Sequence, residues 1–121
     1  MSVHKILIVD DSPSDRQFLL EKLSKQGYQC VTADSGVDAI AKAKAELPDL
    51  ILMDVVMPGT NGYEATRTIT RDEATRGIPV IICTGKNQET DRLWGLRQGA
   101  KDYVTKPIDS DELFQKIAAL S

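Results

Sequence analysis

The chain has 121 residues, 41% of them hydrophobic and 27% charged, with a net charge of -3. That length suits one domain that buries roughly two-thirds of its unfolded surface without disulfide or metal staples, and the composition excludes wholesale disorder. The acidic balance argues against a nucleic-acid surface. The absence of any apolar run near ~18 residues argues against membrane insertion. Met1-Ser2-Val3-His4-Lys5 leads straight into a strand-like run and is no signal peptide, so a cytoplasmic location is expected.

The elements then follow in order. Ile6-Leu7-Ile8-Val9 is a continuous apolar run, as in a strand buried on both faces of a parallel sheet. Ser12-Pro13-Ser14-Asp15 predicts a helix start, with Ser at the N-cap, Pro at N1 and an acid at N3. Leu19, Leu20 and Leu23 form that helix's inward stripe, and Gly27 ends it. Tyr28 to Ala33 reads as the second strand. Gly36 to Glu46 is an Ala-rich helix with Val37, Ile40 and Ala41 on one face, and Leu50-Ile51-Leu52-Met53 is a third, buried strand.

Met57 to Gly62 is a turn-rich loop. A helix from Tyr63 to Glu73, a strand from Ile78 to Cys83, a helix from Gln88 to Gln98 closed by Gly99, and a short strand Asp102-Tyr103-Val104 come next. Ser110 is placed to cap a last helix carrying Leu113, Ile117 and Leu120. Strand and helix alternate five times, which predicts an α/β, doubly wound parallel sheet of five strands with right-handed crossovers. Residues 1–121 read as one domain with no attached output domain.

In an open parallel sheet, chemistry collects beyond the carboxyl ends of the strands. Those ends carry Asp10-Asp11, Asp54, Thr84 and Lys106-Pro107. Carboxylates crowded together raise a pKa or recruit a cation. An all-oxygen donor set favours Mg²⁺ or Mn²⁺ over zinc. Asp10 and Asp11 also suit a plain helix start; Asp54, directly after Leu-Ile-Leu-Met, is harder to dismiss as a solvated loop acid. An ionised carboxylate attacks an electrophile without a general base, and phosphoryl transfer asks mainly for charge neutralisation. Asp54 as nucleophile, Asp11 and Asp54 on the cation, and Lys106 and Thr84 on phosphoryl oxygens fit together.

Rival enzyme signals are missing: there is no GxxxxGK[ST], no GxGxxG after the first strand and no GxSxG. Asp54-Val55-Val56 also lacks the acid two residues on that an aspartyl-phosphatase needs to protonate its leaving group.

Along essentially its whole length the chain resembles the receiver domain of two-component response regulators, the CheY-like family. The resemblance rests on Asp10-Asp11 after an apolar strand, Leu-Met-Asp54-Val-Val-Met-Pro-Gly-Thr-Asn-Gly62, Thr84-Gly85, and Lys106-Pro107. It implies a flavodoxin-like sheet of strand order 2-1-3-4-5. Asp54 would then take a phosphoryl group from a histidine kinase or phosphotransfer protein and lose it only slowly. Asp11, Asp54 and the backbone carbonyl of Val56 would bind Mg²⁺, with Asp10 acting partly through water. The resemblance makes Lys106 the contact to the acyl phosphate, Thr84 a switch residue that moves toward it, and Tyr103 the aromatic switch. An output protein would read the face of the fourth helix, fifth strand and fifth helix. The Lys106-Pro107 bond is expected to be cis.

Residues Gln88 to Ala100 and the Met-Pro-Gly-Thr-Asn-Gly segment are more narrowly similar to stand-alone (PilH-like) regulators of type IV pilus twitching motility and their phototaxis relatives. Val56 and Lys86 depart from common receiver residues and bear on the lifetime of the phosphorylated form. Cys30 and Cys83 fall three strand spacings apart in the family order, about 14 Å, which is too far for a disulfide. His4 reads as surface, Arg67, Arg71 and Arg76 as a solvated face and loop, and Trp94 as either core or rim packing or a binding anchor. Two other readings share the same residues: a phosphate sink without its own target, and a phosphorylation-independent docking domain.

Overall fold

The computed structural model describes residues 3–55, 61–85 and 89–120, and for 89–92 the backbone alone. Strands β1 (Lys5–Val9), β2 (Gln29–Ala33), β3 (Leu50–Asp54), β4 (Val80–Thr84) and β5 (Asp102–Thr105) alternate with α1 (Pro13–Lys25), α2 (Gly36–Glu46), α3 (Gly62–Arg71), α4 (Glu89–Arg97) and α5 (Ser110–Ala119). All pairings are parallel, in the order β2-β1-β3-β4-β5 expected from the resemblance.

The apolar runs explain the order. Every residue of β3 and β4 is buried, whereas β2 and β5, at the edges, are only partly covered. Alternate side chains enter two cores. One packs Ile6, Ile8, Leu52 and Ile81 against Leu19 and Leu23 of α1 and Leu113 and Ile117 of α5. The other packs Leu7, Ile51, Met53 and Ile82 against Ala39 and Ala43 of α2 and Ala65 and Ile69 of α3.

Helix starts follow short-range capping. Ser12 Oγ accepts the Asp15 N–H at 3.3 Å, Ser35 Oγ that of Asp38 at 3.1 Å, and Asn61 Oδ1 that of Glu64 at 2.9 Å. Three expectations need correction. Asp109, not Ser110, caps α5, its Oδ1 accepting the Asp111 and Glu112 amides at 2.9 and 3.4 Å. A carboxylate at that point satisfies two amides and also complements the helix dipole. Helix α2 turns Ala39 and Ala43 inward, leaves Ile40 half-buried and exposes Val37 at 67%. Small side chains let α2 approach α3 and the sheet closely, so bulk does not decide which face is buried. Strand β4 also starts later than expected, at Val80: Pro79 has no N–H to give a ladder, though its carbonyl accepts the Ile51 amide at 3.0 Å.

Cys30 and Cys83 are free thiols on β2 and β4. Burial pushes the Cys83 thiol up to about 12 and raises that of Cys30, which keeps both inert. Among the described residues, no helix is long and apolar enough to cross a membrane.

Candidate functional site at the carboxyl edge of the sheet

Parallel pairing brings the ends of β1, β3 and β4 together. Val9 is in register with Met53, and Asp54 with Cys83, so Asp10 and Asp54 emerge beside one another and Thr84 lies one residue further along β4. Carboxylate oxygens of Asp10, Asp11 and Asp54 lie within 4.8 Å of one another. Asp10 and Asp54 are buried at 1% and 5% exposure, and Asp11 is exposed.

A buried carboxylate is tolerable only when its partners are complete. Asp10 has them: Oδ1 accepts the Ser12 N–H at 3.0 Å, Oδ2 accepts Lys106 Nζ at 2.8 Å, and its backbone carbonyl accepts Arg16 Nη1 at 2.7 Å. Its own N–H donates to the Ala33 carbonyl at 3.1 Å. Lys106 reaches the site because its backbone N–H donates to the Thr84 carbonyl at 2.7 Å, and the Lys106-Pro107 bond is cis. Its Nζ lies 3.4 Å from Asp54 Oδ1 and 3.2 Å from Asp15 Oδ2.

The charges are out of balance. Burial, and next the Asp10 charge, pushes the Asp54 carboxyl up from its ordinary 3.8 to about 6, against the pull of the Lys106 ammonium. Burial also works against that ammonium, but the hydrogen bond to Asp10 and the Asp54 and Asp10 charges overcome it and hold the Lys106 pKa above the usual 10.5. Among the described residues, one ammonium faces this many carboxylates and leaves negative charge over, and an all-oxygen donor set accepts a hard divalent ion.

Gly62 holds the next element against the site. A Cβ there would press into the Asp54 carbonyl oxygen and lie 2.7 Å from Val55 Cα. Only glycine lets the start of α3 approach β3 this closely. Thr84 is buried at the end of β4, and Tyr103 is half-buried on β5 with Lys116 Nζ 5.0 Å above its ring. Val56 and Lys86 lie outside the described residues, so the expected role of the Val56 carbonyl has no structural account.

Two residues join the site that the sequence did not assign to it. Asp15 was expected only as a helix-start acid, and its position at N3 is the one local signal it carries. Arg16 had no signal at all, because its partner is a backbone carbonyl. A groove of about 650 Å³ opens beside Lys106 between Asp15, Phe18 and Ile108. On the far side of the sheet Trp94 is 51% exposed and Leu93 50%, which removes the core reading of Trp94.

Known proteins resemble this chain in sequence and in fold. The chain is 53% identical to Protein PilH of Pseudomonas aeruginosa, over 96% of each chain. Other relatives are longer: the chain spans 26% of the response regulator PleD of Caulobacter vibrioides and 50% of PhoB of P. aeruginosa. Chemotaxis protein CheY4 of Vibrio cholerae superposes with a TM-score of 0.92 at 29% identity, covering 99% of this chain and all 100% of that one. The receiver domain of a P. aeruginosa sensor histidine kinase, solved with a magnesium ion coordinated in its active-site cleft, superposes with a TM-score of 0.90 at 32% identity, covering 98% of each. The family model for the response regulator receiver domain matches residues 6–118, and the chain belongs to that family.

Proposed function

We propose that the chain is a phosphoacceptor that takes a phosphoryl group onto Asp54 from the phosphohistidine of a histidine kinase or phosphotransfer protein. The observation that carries this reading is the buried Asp54 carboxylate 3.4 Å from Lys106 and clustered with Asp10 and Asp11. An Asp54 oxygen lone pair forms the new O–P bond while the P–N bond breaks, and its electron pair stays on the departing imidazole. Asp11 and Asp54 would hold Mg²⁺, which when bound supplies positive charge beside the phosphoryl oxygens; Mn²⁺ has the same oxygen preference. Lys106 orients and neutralises the same group, and the Thr84 hydroxyl, at the end of the neighbouring strand, engages it afterward.

The phosphorylated state is read as a population shift. Thr84 and Tyr103 couple the site to the face of α4, β5 and α5, where Leu93, Trp94 and Leu96 expose apolar surface to an output partner. That exposed group favours a signalling output over a pure phosphate sink, since a sink needs no such surface. The likeness to PilH favours a cytoplasmic regulator in type IV pilus motility or phototaxis; slow self-dephosphorylation is what the family resemblance implies.

Intact mass after incubation with acetyl phosphate and Mg²⁺ tests the acceptor chemistry. The native chain is expected to gain one phosphoryl group, and omission of Mg²⁺ or the substitution Asp54→Asn to abolish the gain. A native chain that stays unmodified where another receiver domain is modified would leave docking without phosphorylation as the function.

A further inference from the structure

Asp15 belongs to none of the roles above, yet its carboxylate reaches Lys106 Nζ at 3.2 Å from 91 residues away in the chain. An acid at N3 ordinarily folds back onto the N-cap amide. Here the Ser12 amide is already taken by Asp10 Oδ1 at 3.0 Å. The Asp15 side chain is therefore released from capping and ties α1 to the segment after β5. The Lys106 ammonium has three protons to give and faces three carboxylates, Asp10 at 2.8 Å, Asp15 at 3.2 Å and Asp54 at 3.4 Å. Asp15 is the outermost: its side chain is 50% exposed, against 2% for Asp10 and 7% for Asp54. It also lines the groove that opens beside Lys106.

We infer that Asp15 is a positioning residue that holds Lys106 away from an incoming phosphoryl group and so restrains the rate at which Asp54 accepts one from a small dianionic donor. The inference rests on the phosphoacceptor reading. With acetyl phosphate, an Asp54 oxygen forms the O–P bond, the P–O bond to the acetyl carboxylate breaks, and acetate leaves with the electron pair; no proton moves. A Lys106 proton directed at Asp15 is not directed at the transferring group. The Asp15 charge at the mouth also repels the donor. Both effects act in the same direction, and both depend on a half-exposed charge that salt screens.

The test is the rate of phosphorylation of the full chain by acetyl phosphate with saturating Mg²⁺, followed by intact mass at low and high ionic strength. Asp15→Asn is expected to react about 3–10-fold faster than native at low salt, the gain shrinking as salt screens the exposed pair. Asp15→Glu, which keeps the carboxylate, is expected to return toward the native rate. A purely structural role for Asp15 would give neither the salt dependence nor the rescue. An Asp15→Asn rate equal to or below that of a reacting native chain overturns the inference, as does Asp15→Glu matching Asp15→Asn. A native chain that does not react at all brings down the acceptor reading, and this inference with it.

Discussion

Helices α1 and α4 lie on opposite faces of one sheet and are anchored very differently. Helix α1 runs for 13 residues from a Ser12 cap and a Pro13 first turn, and seats Leu19 and Leu23 in the core at 3% and 0% exposure. Helix α4 runs for 9 residues and packs through Gly95, where a Cβ would lie 3.3 Å from Ile82 Cγ1, while Leu93, Trp94 and Leu96 face outward. A mid-helix glycine costs about 1 kcal/mol relative to alanine. The difference follows from what each helix carries. Arg16 and Asp15 of α1 hold atoms of the site, and a shift of the helix would misplace them. Helix α4 instead leaves Leu93, Trp94 and Leu96 exposed, and elements with little buried surface open at low free energy.

Removing one packed side chain from each helix is the strongest way to break that comparison. Leu23→Ala is expected to lower stability by about 2–5 kcal/mol through loss of burial and the cavity left behind. Trp94→Ala, half-exposed in the structure, is expected to cost less than about 1 kcal/mol. Urea unfolding of both variants checks this. Equal losses would show that α4 is anchored as firmly as α1.

A second, smaller effect concerns where the site stores unfavourable charge. Because the folded chain holds the Asp54 proton up to about pH 6 against an ordinary 3.8, it binds that proton more tightly than the unfolded chain does. Stability from this group is present below about pH 4 and falls as pH rises to about 6, with the full penalty above. At pH 7.5 in a chelator, Asp54→Asn is therefore expected to stabilise the fold by on the order of 2–3 kcal/mol and to remove that pH slope. A pH series of unfolding midpoints decides it; an Asp54→Asn chain less stable than native would place the burden elsewhere. The smallest effect sharpens the α1 side. Ser12→Ala is expected to cost about 1 kcal/mol of helix capping, read by the same unfolding midpoints, and no loss would mean that Pro13 and the packed leucines alone hold the helix start.

The parts of the fold that were legible in the sequence are those written in adjacent residues. Ile6-Leu7-Ile8-Val9 and Leu50-Ile51-Leu52-Met53 have no polar face, so they must be interior strands, and the acids that end them must meet at one edge. The cis bond before Pro107 followed from family resemblance alone. Where several neighbouring residues could serve equally well, local pattern did not choose among them. Ser110 and Asp109 both suit a cap, and the carboxylate reaches two amides. Val37 looks like the better core residue than Ala39, yet the space between α2 and α3 admits only the alanine side.

The site divides along the same line. The sequence by itself determined the alternation of strands and helices, the sheet class and the placement of Asp10, Asp11, Asp54, Thr84 and Lys106 at one edge of the sheet, because burial pattern and strand-end position are properties of short segments. Tertiary structure alone decided that Lys106 is shared among Asp10, Asp15 and Asp54, that Arg16 pins the Asp10 carbonyl, and that Trp94 faces outward. Those facts depend on side chains brought together from as far as 96 residues apart. Distances between such atoms are set by the packing of the sheet and its helices, and no short stretch of sequence contains them.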